Sequence, residues 1–364
     1  MNDMNKRTFF SLLLCVCSLS FLHAERVDMQ QAGADIQGRK LNTALINSTI
    51  DRLNANGGGT LFFPAGTYLT GSIHMKSNIT LELEAGATLK FSENFDDFLP
   101  YVEVRHEGIM MKSFQPLIYA VDAENITIKG EGTLDGQGKA WWTEFFRVLV
   151  DLRDNVKRNI NKYQPMFEKE NDLKALYAET NEDCHGTLDR RFFRPPFIHP
   201  IRCKNVRVEG VKIINSPFWT VNPEFCDNVT IKGITIHNVP SPNTDGINPE
   251  SCKNVPISDC HISVGDDCIT IKSGRDLQAR KLGVPCENIT ITNCTMLSGH
   301  GGVVIGSEMS GGVKKVTISN CIFDGTDRGI RWKSPGGAEG LVEDTGESMM
   351  VLRTIRTGAT VSNR

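Results

Sequence analysis

Short segments in which apolar and polar residues alternate recur along most of the 364-residue chain. The common form is asparagine, an aliphatic residue, a polar residue and a second aliphatic residue. Alternation with a period of two is the pattern of a β-strand that buries one face. The copies begin at Asn78, Asn125, Asn205, Asn228, Asn254 and Asn288, with a degenerate copy at Lys315. Each copy therefore predicts one short strand.

The spacing of these copies predicts the architecture. From Asn205 onward the copies follow one another closely, with no helical pattern in most of the intervals. Short strands that recur at such intervals are typical of a solenoid whose coils bury their apolar faces on one another. A β-propeller needs longer repeats with several strands each, and the leucine pattern of a leucine-rich repeat is absent. We therefore predict an all-β fold, a right-handed parallel β-helix.

Three segments depart from the repeat. Residues 40–59 show helical spacing that ends at a run of glycines, which predicts an N-terminal helix capping the open end of the apolar stack. Residues 139–195 are predicted to form a helical insertion. From about residue 345 the strand pattern is lost, so we expect an atypical C-terminal tail, as in a truncated or altered solenoid. The aromatic residues of the insertion favour packing over a sugar site: Trp141, Trp142, Phe145 and Phe146.

The N-terminus has the pattern of an export signal. Lys6 and Arg7 precede an apolar run that is too short for an ordinary membrane span, and a cleavage point follows at Ala24. We therefore predict a signal peptide over residues 1–24 and a single β-helix domain over residues 25–364. The mature chain is expected to be periplasmic or secreted.

Composition narrows the class of ligand. The formal net charge of −3 argues against a nucleic-acid binder. Nine of the eleven cysteines follow residue 24 and none forms a CxxC pair, so no zinc site is expected. Free cysteine packs as a small apolar residue, although one or two disulfides stay open as an alternative. No cofactor or metal is expected, and the protein is expected to be a monomer.

One aspartate and a pair of adjacent aspartates lie about one repeat apart. Asp245 follows Asn243-Thr244, and Asp266 and Asp267 follow Gly265 in the next repeat. Residues one coil apart in a β-helix share an azimuth, about 4.8 Å apart along the axis. The same residue types are common turn formers, and neighbours on a strand point to opposite faces. Gly265 would permit a bend that brings both aspartates to the outer face.

The pattern continues into the next coils. His300 follows Asp267, and Arg331 follows His300, each at a distance of about one coil plus a loop. We therefore predict one outward patch of three carboxylates, a histidine and the basic pair Arg331 and Lys333. Other basic residues near this end are interpreted mostly as solvated loop charges that add a local positive field: Lys272, Arg275, Arg280, Lys281 and Arg328.

These segments resemble the signatures of glycoside hydrolase family 28, the polygalacturonases. The Asn-Thr-Asp-Gly, Gly-Asp-Asp, Gly-His-Gly and Arg-Trp-Lys segments occur in the usual order, although the fourth is usually Arg-Ile-Lys. Residues 132–138 and 194–206 are also similar to bacterial members. The resemblance extends over residues 30 to 345. Four motifs in order at coil spacing are far more specific than any one of them.

The resemblance implies hydrolysis of α-1,4-galacturonan with inversion. It makes Asp266 the general acid and assigns Asp245 and Asp267 to the attacking water. His300 would support the protonation state of the acid. Close carboxylates cannot all ionise cheaply, which agrees with one of them keeping a proton.

The implied partner is an acidic polysaccharide, either homogalacturonan or rhamnogalacturonan. Arg331 and Lys333 would bind the substrate carboxylate, since arginine offers a bidentate fork to such a group. Asn243 is assigned to substrate binding as well. Whether the enzyme attacks chain ends or internal linkages stays open.

Two other functions remain possible at this stage. A calcium-dependent pectate lyase shares the fold and the acidic substrate, and its carboxylates would bind the metal. A non-catalytic carbohydrate-binding β-helix would use the same aspartates only to form turns.

Overall fold

The computed structural model describes residues 24–154, 192–238, 241–334, 341–348, 350–353 and 357–363. The predicted signal peptide (but for Ala24) and residues 155–191 of the predicted insertion lie outside these described residues. Among the described residues, no helix is long and apolar enough to cross a membrane.

The chain winds into coils that stack on one another and form three parallel sheets, so the predicted parallel β-helix is confirmed. Strands are numbered in chain order. The first sheet contains β1 (Glu25–Asp28), β2 (Gly59–Phe63), β5 (Ile79–Leu83), β10 (Glu124–Gly130), β13 (Lys204–Glu209), β15 (Asp227–Lys232), β17 (Lys253–Ser258), β20 (Cys286–Thr292), β23 (Val313–Ser319) and β26 (Val342–Ser348). The second sheet contains β3 (Gly66–Thr70), β6 (Ala87–Phe91), β11 (Thr133–Asp135), β14 (Lys212–Ile214), β16 (Thr235–His237), β18 (His261–Ser263), β21 (Thr295–Ser298), β24 (Ile322–Asp324) and β27 (Val351–Arg353).

The third sheet has two parts. The first part contains β4 (Ile73–His74), β9 (Ile118–Val121) and β12 (Ile198–Ile201), and the second contains β19 (Asp267–Ile271), β22 (Gly301–Ile305), β25 (Arg328–Ser334) and β28 (Thr357–Asn363). Single bridges at Val221 and Ile247 connect Ile198 to Ile269, so the two parts form one continuous stack. The tail from about residue 345 contributes to β26, β27 and β28, which pair in parallel with the preceding coil. Although its sequence lacks the repeat, the tail therefore continues the stack.

The repeated asparagines explain the corner that begins each first-sheet strand. Asn228, Asn205 and their counterparts have a positive φ near 60°, a conformation that asparagine tolerates better than most residues. Their amides also stack: Asn228 Nδ2 donates to Asn205 Oδ1 at 2.7 Å, and Asn205 Nδ2 donates to Asn125 Oδ1 at 2.9 Å. Asparagine is therefore well suited to this corner, and the aliphatic residues after it enter the core.

The apolar core runs along the axis of the coils. The predicted inward residues Val229, Ile231, Ile289 and Ile291 of the first sheet are fully buried in it. Ile236 of the second sheet and Ile269 of the third are also members. The eight cysteines among the described residues are also buried, and none forms a disulfide. Cysteine thus fills inward positions of the stack as a small apolar residue.

Helices cover the N-terminal end and one flank of the solenoid. Helix α1 (Thr43–Ala55) buries Ile46, Ile50 and Leu53 in the core and confirms the predicted cap. Helix α2 (Gly138–Asp154) begins the predicted insertion. Its Trp141 is fully buried and lies 4.4 Å from the ring of Phe95 and 5.0 Å from that of Phe114. Packing, and not sugar binding, is therefore the role of Trp141.

Two further elements lie near the third sheet. An antiparallel hairpin consists of β7 (Val102–His106) and β8 (Ile109–Ser113), and it follows a short 3₁₀ helix (Phe95–Phe98). Helix α3 (Asp276–Leu282) follows β19. Both elements approach the outer face of the third sheet, where the predicted site lies.

Candidate active site

The third sheet brings the predicted carboxylates together, but in a different register from the one predicted. Ile247 pairs with Ile269, and the amide of Gly246 donates to the carbonyl of Asp267. The residue one coil beyond Asp245 is therefore Asp267 and not Asp266. Asp266 instead precedes His300 by one coil, since the His300 amide donates to the Asp266 carbonyl at 2.8 Å.

The chain bends at Gly265 and Asp266, between β18 and β19, as expected for two adjacent aspartates in one site. Gly265 has a second reason to be glycine. A Cβ at this position would collide with the backbone carbonyl of Ser241 in the preceding coil. The missing side chain therefore lets the loop that carries Asn243 approach β19 closely.

Asp266 is the accessible carboxylate. Its side chain is 18% exposed, and its Oδ1 lies 3.3 Å from Nδ1 of His300, whose side chain is 57% exposed. Asn243 Nδ2 donates to Asp266 Oδ2 at 3.4 Å. A depression beside His300 is lined in part by Gly299 and Asp327. A ligand in this depression would contact His300, the partner of Asp266.

Asp245 is buried among donors. Asn248 Nδ2 donates to its Oδ2 at 3.2 Å, Thr270 Oγ1 lies 3.3 Å away, and Lys272 Nζ lies 3.7 Å away. Burial and the neighbouring Asp266 raise the pKa of Asp245 well above its ordinary value, although the Lys272 charge opposes this shift. This carboxyl group is therefore held in place but is costly to ionise.

Asp267 is paired with a lysine that lies two coils farther along the stack. Lys333 Nζ donates to Asp267 Oδ2. Burial raises the pKa of Asp267, while the charge of Lys333 lowers it, and the net shift is upward. Lys333 thus lies inside the carboxylate cluster, as predicted.

Arg331 does not lie one coil below His300, as its spacing in the sequence suggested. Asp267 pairs with Gly301, and Arg331 pairs with Val304. The coil from β22 to β25 thus connects Val304 to Arg331, so Arg331 lies farther along the strand than His300. Its side chain is buried on the row that includes Thr270.

The pKa shifts of the three carboxyl groups run against the assignment of Asp266 as the acid that keeps its proton. Burial tends to raise the pKa of Asp266, but the hydrogen bond from His300 and the charge of Lys333 outweigh it and the net shift is downward. The hydrogen bond to Asp266 in turn raises the pKa of His300. The pKa of Asp245 and that of Asp267 are therefore shifted upward, whereas that of Asp266 is shifted downward and its carboxylate lies within ion-pair distance of His300.

Lys272 is the main residue that sequence analysis undervalued. It was interpreted among loop charges, but it is buried, 4.3 Å from the ring of Trp219, and donates to Glu308 Oε2 at 2.6 Å. Burial lowers its pKa, but Glu308 and Asp245 outweigh burial and the net shift is upward. Arg275 also pairs with Glu308, at 3.2 Å. The predicted positive field is therefore largely neutralised at these two residues.

Arg194 was also missed. Its guanidinium donates to the carbonyls of Pro217 and Pro242 and to Oδ1 of Asn243, at 2.8 Å to the last two. It therefore fixes the loop that positions Asn243 and Asp245. The only signal in the sequence was its place in the segment over 194–206, which carried resemblance but no role.

The arrangement supplies the parts of acid–base catalysis. One accessible carboxyl group lies beside two buried ones, and two lysines lie among them. Carboxyl groups whose surroundings push their pKa values apart can serve as separate acid and base. Lys333 and Arg331 offer positive charge for an anionic ligand.

Comparisons with known proteins point to one family. A sequence profile of Glycosyl hydrolases family 28 matches residues 180–363. An endo-polygalacturonase of Pectobacterium parmentieri is 30% identical over 87% of this chain and 71% of its own length. A probable polygalacturonase of Vitis vinifera is 31% identical over 88% of this chain. The chain spans only 59% of the length of that protein.

Solved structures agree with this match. The crystal structure of a hyperthermoactive exopolygalacturonase from Thermotoga maritima has a TM-score of 0.74 and 34% identity, over 92% of this chain and 81% of its own. The polygalacturonase from Erwinia carotovora has a TM-score of 0.67 and 26% identity, over 93% and 80% of the two chains.

Proposed function

The chain belongs to glycosyl hydrolases family 28, and we propose that it hydrolyses the α-1,4-galacturonosyl linkages of pectin with inversion. The observation that carries the proposal is the carboxylate cluster of the third sheet. Asp245 and Asp267 come from adjacent coils, and Asp266 is exposed beside His300. Inverting glycosidases need one acid and one base with a water between them.

In this mechanism Asp266 protonates the leaving oxygen. It is the carboxyl group of the three that a glycosidic oxygen can reach from the His300 side. A substrate carboxylate near it would add negative charge and exclude water, and both changes raise the pKa of Asp266. Binding the substrate therefore favours transfer of a proton onto this residue.

Asp245 and Asp267 hold and deprotonate the attacking water. Their side chains are fixed by Thr270, Asn248 and the two lysines, so the water would meet an oriented base. The ammonium groups stabilise the ionised form that a base needs. Lys333 and Arg331 bind the substrate carboxylate, and Asn243 helps to orient the sugar at Asp266.

The lyase alternative is less well supported. A calcium-dependent lyase uses its carboxylates to hold the metal. Here Lys333 contacts Asp267, and Lys272 lies 3.7 Å from Asp245. These lysines already supply the positive charge that a calcium ion would bring. A purely binding role is also less favoured, because turn formation does not require two fully buried carboxyl groups.

A direct assay separates these functions. Purified protein is incubated with polygalacturonate, with and without a chelator, and both reducing ends and ultraviolet absorbance are followed. We expect reducing ends without unsaturated products, unaffected by the chelator, and none with Asp266→Asn. Absorbing products that depend on calcium would support the lyase instead. Export of the mature chain and its action as a monomer remain predictions from the sequence.

A further inference from the structure

The outer face of the third sheet is covered along its earlier coils. His199, Asn222 and Asn248 directly follow inward residues of the sheet, so their side chains lie on the face away from the core. All three are fully buried, as are the neighbouring Glu224 and Glu250. On a solvated groove floor these polar groups would be exposed, so another part of the chain must cover them.

The β7–β8 hairpin provides this cover. Arg105 of β7 lies 3.3 Å from Oε1 of Glu250 and donates to Oγ of Ser251 at 3.3 Å. The next residue, His106, stacks on Phe218 with ring centroids 4.4 Å apart. Phe218 lies before the Val221 bridge and Ser251 lies after the corresponding Ile247 bridge. The hairpin therefore crosses the outer face of the sheet, from the start of its strands to their end.

The turn of the hairpin is anchored as well. A side chain at Gly108 would collide with Arg275, and the Met110 amide donates to Oε1 of Gln278 in α3 at 3.4 Å. The pair of Arg105 and Glu250 is almost completely buried. Separating a buried ion pair leaves an unpaired charge in the interior, which is strongly unfavourable. The hairpin is thus a fixed part of the fold.

The catalytic coils are accessible at Asp266 and His300. Asp266 and His300 keep 18% and 57% of their side chains exposed. Asp245 lies close to the covered part of the sheet. Lys272 is 3.7 Å from Asp245 and pairs in register with Glu250, which Arg105 of the hairpin covers. A polysaccharide at Asp266 therefore has space on the His300 side, while the path along the earlier coils is occupied by Arg105 and His106.

We infer that the β7–β8 hairpin closes the substrate groove, so that the site accepts the end of a galacturonan chain and the enzyme acts as an exo-hydrolase. A chain bound through its middle would have to pass through the position of the hairpin. This inference rests on the proposed function for its substrate. Family membership alone does not decide it, because the similar proteins include both modes of attack.

The wild-type protein gives the first test. Polygalacturonate is digested while viscosity, reducing ends and product sizes are measured from the earliest time points. An exo-hydrolase releases one short product from the start, and viscosity falls slowly relative to the number of cleaved linkages. An early mixture of intermediate oligomers with a rapid fall in viscosity would overturn the inference.

A binding test works without turnover. Asp266→Asn protein is titrated with oligogalacturonides and polygalacturonate of defined lengths, and the stoichiometry is measured by calorimetry or sedimentation. We expect one protein per accessible chain end at every length. A stoichiometry that rises with chain length, or binding to no chain at all, would contradict the closed groove. One protein per end without hydrolysis by the wild type would refute the proposed activity and leave the closed groove intact.

A hairpin variant completes the test. Residues 103–112 are replaced by a short Gly-Ser linker, and folding is checked by circular dichroism. Opening the groove should produce intermediate oligomers that the wild type does not release. The control is Glu103→Ala, which removes an exposed pair with Arg202 but keeps the hairpin, and should leave the products unchanged. An unchanged product pattern in a folded linker variant would count against the hairpin, and the stoichiometry decides if the variant does not fold.

Discussion

The first and third sheets are built from the same coils but carry opposite kinds of outer face. The first sheet presents exposed polar residues, and its asparagines pair with one another in regular succession, as Asn228 does with Asn205. The third sheet buries Asp245, Asp267 and Lys272 instead. Regular, satisfied positions maintain the solenoid, whereas irregular and electrostatically costly positions are concentrated where the chemistry is proposed.

The difference has an energetic side. Exposed pairs such as Lys253 with Glu287 are screened by solvent and contribute little to the free energy of unfolding. In contrast, Glu224 and Glu250 are buried side by side, and burial raises the pKa of both carboxyl groups. The outer face of the third sheet therefore depends on compensation by Arg105 and the two site lysines. A substitution on that face should therefore change activity far more than a substitution on the first sheet.

The carboxylate cluster should show the strongest effect. Asp266→Asn keeps the volume of the side chain but removes the proton donor, and general acid catalysis contributes about 10²–10⁴-fold. We expect kcat to fall by that amount with an unchanged fold, and severe losses for Asp245→Asn and Asp267→Asn. The three effects should not add, because the residues act as a unit. Full activity of all three variants would contradict the catalytic roles and indicate that these aspartates only form turns.

The basic side of the site should respond next. Lys333→Ala removes one of the two cations proposed to bind the substrate carboxylate, and hydrogen bonds to charged groups contribute about 1.5–3 kcal/mol. It also removes the charged partner of Asp267. We expect KM for oligogalacturonides to rise by about 10–100-fold, and by less for methyl-esterified ones. Arg331→Ala should show the same preference. Lys253→Ala, on the first sheet, serves as the control. Equal losses on charged and esterified substrates would contradict carboxylate binding.

The contrast between the sheets also explains what the sequence could predict. The asparagine repeat is legible because the same corner recurs in coil after coil, so the fold and the inward residues follow from it. The site register was predicted incorrectly, since Asp245 lies one coil before Asp267 and not before Asp266, and the loops vary in length. Lys272 was misinterpreted as a loop charge and Arg194 was given no role, because their partners, Glu308 and Asn243, are distant in sequence.

Lys272 should control the pH dependence. Its charge lowers the pKa of Asp245, so Lys272→Met should raise that pKa. Because Asp245 must lose its proton to act as a base, the acidic limb of kcat/KM should move to higher pH. The control is Lys253→Met, an exposed lysine on the first sheet. A uniform loss of activity with unmoved limbs would indicate a structural role only.

The first sheet should show a modest effect on stability alone. Asn228→Ala places alanine at a φ of 59° and removes an amide hydrogen bond. The left-handed conformation costs an ordinary residue about 1–2 kcal/mol, and we expect a loss of that size in the free energy of unfolding with unchanged kcat. Asn228→Gly should lose less, since glycine adopts this conformation freely. Identical losses for both variants would show that the backbone conformation is not the cause.

The stereochemistry of the first product tests the proposed chemistry of the third sheet most directly. The wild-type enzyme is mixed with an α-1,4-linked oligogalacturonide, and the anomer that appears first is identified by proton NMR before mutarotation. A single displacement by water held at Asp245 and Asp267, with Asp266 as the acid, predicts that the β-anomer forms first. Initial release of the α-anomer would require a covalent intermediate or another route and would contradict the roles proposed for the three carboxylates.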